Sequence, residues 1–202
     1  MTLLRPLFGP AKADIWSQLA AQAGDRFTSV GFSGKNCLTA TVDQWTLTLD
    51  TYTVSNGTTH NYTRLRAPYV NADGFRFALY RAKLFTPVDR VFGMQNVSIG
   101  DREFDQMFVL QSDDDEKARH FFSDEHFRAQ LYDQPRFLMQ VKDDQGWFGQ
   151  SFPQNVDELY FVRLGTMKDL AELKSLFDLF AYTLHRLCHV GSAYEKDPAI
   201  RL

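Results

Sequence analysis

The stretch WTLTLDTYTVSNGTTHNYTRLRAPY, residues 45–69, decides how this chain folds. Trp45, Leu47 and Leu49 alternate with Thr46, Thr48 and Asp50. That period of two belongs to a strand with one buried face and one solvated face. Ser55-Asn56-Gly57 then supplies turn chemistry, and a second strand is expected over residues 62–69. After the turn residues Asn71-Ala72-Asp73-Gly74, Phe75, Phe77 and Leu79 alternate with Arg76, Ala78 and Tyr80. Three strands in succession, joined by short turns, predict an antiparallel meander inside a β-rich block over residues 26–82.

Towards the N-terminus, Pro10 and Asp14 open a short helix whose apolar face holds Ile15, Trp16, Leu19 and Ala20, and Gly24 stops it. Towards the C-terminus, residues 104–110 read as a buried strand. Ser112-x-x-Asp115 resembles a capping box for a helix carrying Ala118, Phe121 and Phe122. Ser123 or Asp124 caps a second helix with Phe127 and Leu131 inside, and Pro135 ends it. Strands return over residues 137–141 and 159–164. Thr166-x-x-Asp169 caps the longest helix, which runs to about residue 190. Leu173, Phe177, Phe180, Leu184 and Leu187 form its apolar stripe, and Gly191 stops it. The tail from residue 192 is expected to be mobile. Runs of each element type, rather than strict alternation, predict an α+β fold: a mainly antiparallel sheet, helices packed on one face, and a long C-terminal helix. Residues 1–202 read as a single domain, any subdivision falling near residues 84–103.

The composition narrows the function classes. With 202 residues, 44% of them hydrophobic and 18 of them Phe, the chain can bury an aromatic-rich core without staples. A net charge of -3 opposes nucleic-acid binding. Cys37 and Cys188 stand far apart in sequence and make neither a disulfide framework nor a zinc pattern. The opening MTLLRPLFGPAKADIW lacks the features of a secretory signal, and no stretch approaches ~20 apolar residues. A cytoplasmic protein without membrane association is therefore expected. Walker A, G-x-S-x-G, G-x-G-x-x-G and C-x-x-C sequences are all missing.

The blocks WTLTLDTYTV, YTRLRAPY, FRFALYR and IGDREFDQMFVLQSDDDEKARHFF, with GSAY after the last helix, resemble an uncharacterised bacterial family of conserved domains of unknown function. The resemblance covers most of the chain. It implies a cytosolic or membrane-peripheral bacterial protein, and it brings no catalytic residues with it.

Four groups of residues carry chemistry. Arg64 and Arg66 share a strand face, and Arg76 is placed on the same face of the neighbouring strand, with Tyr62 and Tyr80 nearby. Guanidinium forks there suit a small anionic ligand; cross-strand pairing with Asp50 fits the same spacing. Gly146-Trp147-Phe148-Gly149 with Phe152-Pro153 is an aromatic loop, either an interaction surface for a protein partner or a loop folded over the core. His185 and His189, one helical turn apart, suit a metal if His120 or His126 joins them; a solvated helix face is the other explanation. Asp101, Glu103 and Asp105, if extended, converge on one side for cation binding or acid–base work; an ion pair or Asx-turn explains them locally. Together these predict a non-catalytic binding or interaction module without a cofactor or metal. The alternative is a metal- or carboxylate-dependent hydrolase, which needs the acidic trio in one cleft with His120, His126 or His185.

Overall fold

The computed structural model describes residues 12–21, 27–32, 37–81, 94–143, 152–200 and 202. In chain order the elements are α1 (Lys12–Ala21), β1 (Phe27–Phe32), β2 (Cys37–Val42), β3 (Trp45–Asn56), β4 (Thr58–Asn71), β5 (Phe77–Arg81), β6 (Gln95–Val97), α2 (Arg102–Met107), β7 (Phe108–Ser112), α3 (Asp115–Phe122), α4 (Glu125–Asp133), β8 (Leu138–Lys142), β9 (Val156–Leu164), α5 (Leu170–His189) and β10 (Ala193–Tyr194). The strands form one ten-stranded sheet in the order β1-β2-β3-β4-β9-β8-β5-β7-β6, with β10 added to β4. Every pairing in it is antiparallel. The fold is the α+β class that the residue patterns predict, including the long C-terminal helix.

The β3–β4 hairpin forms as its pattern demands. Asn56 pairs with Thr58, and Gly57 between them takes a φ of 74°, a conformation that strains any residue with a Cβ. The meander, however, breaks after β4. Strands β8 and β9 insert between β4 and β5, so β4 pairs with β9 and β5 pairs with β8. Pro68 marks where β4 changes partners on its other side. The ladder to β3 ends at Thr48↔Arg66, the pairing to β10 begins at Val70↔Tyr194, and Pro68, with no N–H to donate, sits in the gap.

Four further expectations are corrected. Residues 102–107 are helical, not extended: Asp101 caps α2 by accepting from the Glu103 and Phe104 amides, which turns Phe104 into the core. Asp114, not Ser112, caps α3, and Ser112 is the last residue of β7. Similarly, Asp169 rather than Thr166 caps α5. Nor does the tail hang free at its start: Ala193 and Tyr194 pair with Asn71 and Val70, and the Ser192 hydroxyl donates to Asp73. Pro10, Gly24 and residues 84–93 of the suggested subdivision lie outside the described residues.

One face of the sheet supplies Leu47, Leu49, Leu65, Ala67, Phe77 and Leu79 to a core closed by the apolar stripes of α1, α3, α4 and α5. Its densest part is aromatic. Phe121 lies 4.9–6.0 Å, centroid to centroid, from Phe75, Phe77, Phe122 and Phe127. Such rings bury large apolar areas and prefer the tilted and edge-on arrangements found here. Phe121→Ala is therefore expected to cost about 3–5 kcal/mol, read as a lower midpoint in urea unfolding.

Candidate functional site

Alternation along the strands sends the opposite set of side chains to the second face. There Cys37, Asp50, Arg64, Val162, Leu138, Tyr80 and Val109 stand in one cross-strand row. Arg66 and Tyr160 stand side by side in the next row. A small apolar cluster of Leu138, Tyr160 and Val162 forms here, with Tyr52, Tyr62 and Tyr80 packed against it. Tyr52 and Tyr62 are directly opposed and stacked, 5.2 Å apart at 15°. Beyond this pair the hairpin outruns its neighbours: β2 stops pairing with β3 at Asp50, and β9 stops pairing with β4 at Tyr62. Val54 and Leu164, both largely exposed, follow the same alternation and extend the apolar strip of Tyr52 and Tyr62.

The centre of this face is ionic. Arg64 grips Asp50 with a fork, Nε to Oδ1 at 2.8 Å and Nη2 to Oδ2 at 2.7 Å, and lies 5.1 Å over the Tyr52 ring. Arg66 donates to the same carboxylate at 3.0 Å. Its Nε stands 3.7 Å from Glu158, which Lys142 approaches to 3.6 Å from the other side. Lys142 also sits 4.1 Å over the Tyr160 ring. Burial works against the Arg64 cation, but the hydrogen bonds and charge of Asp50 outweigh it and raise its pKa. Burial also pushes the Tyr160 hydroxyl up, reinforced by Tyr52. Glu158 is fully buried, and neither carboxylate oxygen accepts a hydrogen bond from the described residues. Its pKa is raised by burial, opposed by Lys142, Arg66 and Arg64.

Arg64, Arg66 and Tyr80 thus share a face as the sequence indicates, and Asp50 pairs with both arginines. Arg76 does not join them. With β9 and β8 inserted, Arg76 lies at the far end of the sheet, bound to Asp157 and Asp143. There it lines a cleft of about 320 Å³ together with Phe152 and Pro153. Trp147 and Phe148 lie outside the described residues. Glu158 and Lys142 lie just beyond the strands expected over residues 159–164 and 137–141, and Tyr160, inside the first, carries no charge to draw attention. The alternation of Glu158, Tyr160 and Val162 in VDELYFVRL is the signal that finds Glu158 and Tyr160.

The hydrolase constellation does not assemble among the described residues. Asp101 caps α2 and meets Arg128 at 3.4 Å, while Asp105 accepts from the Ser98 hydroxyl and the Ile99 amide. His185 pairs with Asp43 at 2.9 Å, His126 bonds Gln130, and His120 packs against His189. Among the described residues no three His, Cys, Asp or Glu side chains are grouped to hold a metal ion. No helix of the described residues is long and apolar enough to cross a membrane.

These features define an α+β protein built on one antiparallel sheet, with helices on one face and a tyrosine–arginine surface on the other. No protein-family profile matches the chain, and no curated protein matches it. Among solved structures it is similar to the crystal structure of the mycobacterial trehalose monomycolate transport factor A, with a TM-score of 0.52 and 10% identity over 94% of this chain and 98% of that one. At that identity the likeness shows the fold alone.

Two tests follow from the ionic centre. Asp50→Ala leaves two partly buried guanidinium groups without their carboxylate and is expected to cost about 2–4 kcal/mol in urea unfolding. The folded chain also keeps the Glu158 proton to higher pH than the unfolded chain does. Its ionisation therefore costs stability as pH rises from the ordinary glutamate range through the raised value. Glu158→Gln is expected to be at least as stable as wild type at about pH 8, the difference closing towards about pH 5.

Proposed function

We propose that this chain is a non-catalytic binding module that takes an amphipathic, lipid-like ligand on the sheet face opposite the helices. The observation that carries this reading is the strip of Tyr52, Tyr62, Val54 and Leu164 at the projecting end of the β3–β4 hairpin. Exposed apolar side chains gathered on one strip mark contact surfaces, whereas scattered ones need no explanation. Tyrosine suits a ligand with both an apolar and a polar part, since its ring packs while its hydroxyl stays available for hydrogen bonds. Arg64, stacked on Tyr52 and still partly exposed, borders the strip with a cation.

The fold shared with the mycobacterial trehalose monomycolate transport factor A is compatible with this reading and suggests the ligand class to try first. Against a hydrolase stands the dispersal of its acids and histidines into caps and local pairs.

The test is calorimetric titration of the full chain with octyl glucoside below its micelle concentration. Wild type is expected to bind, and a Tyr62→Ser, Leu164→Ser double variant is expected to bind at least ~5-fold more weakly, having lost apolar contact area. Equal binding by the two proteins, or none by wild type, removes the reading.

A further inference from the structure

Arg76 presents a second surface whose chemistry owes nothing to the open sheet face. Its Nε and Nη2 dock on the two oxygens of Asp157 at 3.2 and 3.3 Å. The Asp157 side chain is only 5% exposed, and Asn71 holds it from the other side. The remaining Nη1 meets Asp143 at 3.0 Å, and the Asp143 side chain is 57% exposed. All three charged residues line the cleft of about 320 Å³, beside Phe152, Pro153 and Asn155.

We propose that this cleft binds a small monocarboxylate with an apolar body, whose carboxylate replaces Asp143 on Nη1 of Arg76. The two halves of the guanidinium differ in how firmly they are held. Asp157 is buried, doubly engaged and fixed in place, so it orients the arginine as a supporting partner orients a binding group. Among the described residues the Asp143 side chain makes one ion pair, to Arg76 from the solvent side, and ion pairs that exposed contribute little, so a ligand can displace it. Charge decides the ligand class. Among its described lining residues the cleft holds one guanidinium and two carboxylates. A monocarboxylate that displaces Asp143 restores that count, whereas a phosphate dianion adds an uncompensated charge beside Asp157. Phe152 and Pro153 form the apolar wall. The volume lies at the small end of ligand pockets and suits a compact molecule rather than a folded partner.

The experiment is calorimetric titration of the full chain with benzoate and octanoate, using benzamide as the neutral match for benzoate. The proposal expects both carboxylates to bind and benzamide not to. It expects Asp143→Asn, which removes the internal competitor at an exposed position, to tighten benzoate binding ~5-fold. Arg76→Gln is expected to abolish binding. Because that change also strands Asp157, the Asp143→Asn result is the deciding one. Unchanged benzoate affinity in Asp143→Asn, equal binding of benzamide, or no binding of either carboxylate to wild type and Asp143→Asn overturns the proposal. The open-face reading uses a neutral probe and different residues, so either can fail while the other stands.

Discussion

Pairing of β4 with β9 places everything else in this molecule. It runs from Tyr62↔Leu164 to Val70↔Val156 and brings a C-terminal strand into the middle of an N-terminal meander. A slip of one residue would send Leu65, Ala67 and Tyr69 out of the core and drive Arg64 and Arg66 into it. Both ends of the ladder are pinned against that slip. At one end the buried Thr63 hydroxyl donates to the Gly165 carbonyl and accepts from the Met167 amide, while the Gly165 amide donates to the Asn61 carbonyl. At the other, the Asn71 amide donates to the Asn155 carbonyl and the Asn71 side chain donates to Asp157 and to the Phe75 carbonyl.

Local chemistry was legible in the sequence, and partner choice was not. The alternation in residues 45–54 gave β3 its inner face, Gly57 gave the hairpin, and the stripe from Leu173 to Leu187 gave α5. Each depends only on residues close in the chain. That β8 and β9 separate β4 from β5 depends on contacts between residues far apart in sequence, and one sequence holds no record of them. Pro68 was the readable warning, since a proline inside a strand requires a missing ladder bond. Arg64, Arg66 and Tyr80 could be grouped from β-periodicity, but placing Arg76 beside them required the wrong neighbour strand. Asp101, Glu103 and Asp105 misled for another reason: spacing by two marks a strand face only if the backbone is extended. An aspartate followed by two more acidic residues in a first turn is also what a helix N-terminus favours.

The ionic centre of the open face acts on specificity more than on stability. Asp50 serves two guanidinium groups, and Glu158 lies between Arg66 and Lys142 with no hydrogen bond from the described residues to either oxygen. Apolar side chains of the same shape in such a place would often be no less stable. What the charges add is a penalty for every other register, because any shift of β4 against β3 or β9 strands at least one of them. At this centre the arginines are already engaged, whereas apolar surface remains exposed at the tyrosine strip.

The two candidate surfaces sit at opposite ends of one ladder. Tyr62 and Leu164 close it at the strip, and Val70 with Val156 closes it next to Asp157 and the Arg76 cleft. Seven residues of strand separate Asp157 from Leu164, a span of roughly 23 Å at the usual rise per residue. No small ligand bridges that distance, so occupancy of one surface can reach the other only through the sheet. Transmission of that kind needs an element with two stable arrangements. A ladder pinned at both ends, with charges that oppose any slip, has a single arrangement. The strip and the cleft are therefore separate candidate surfaces, and each owes its side chains to the same register.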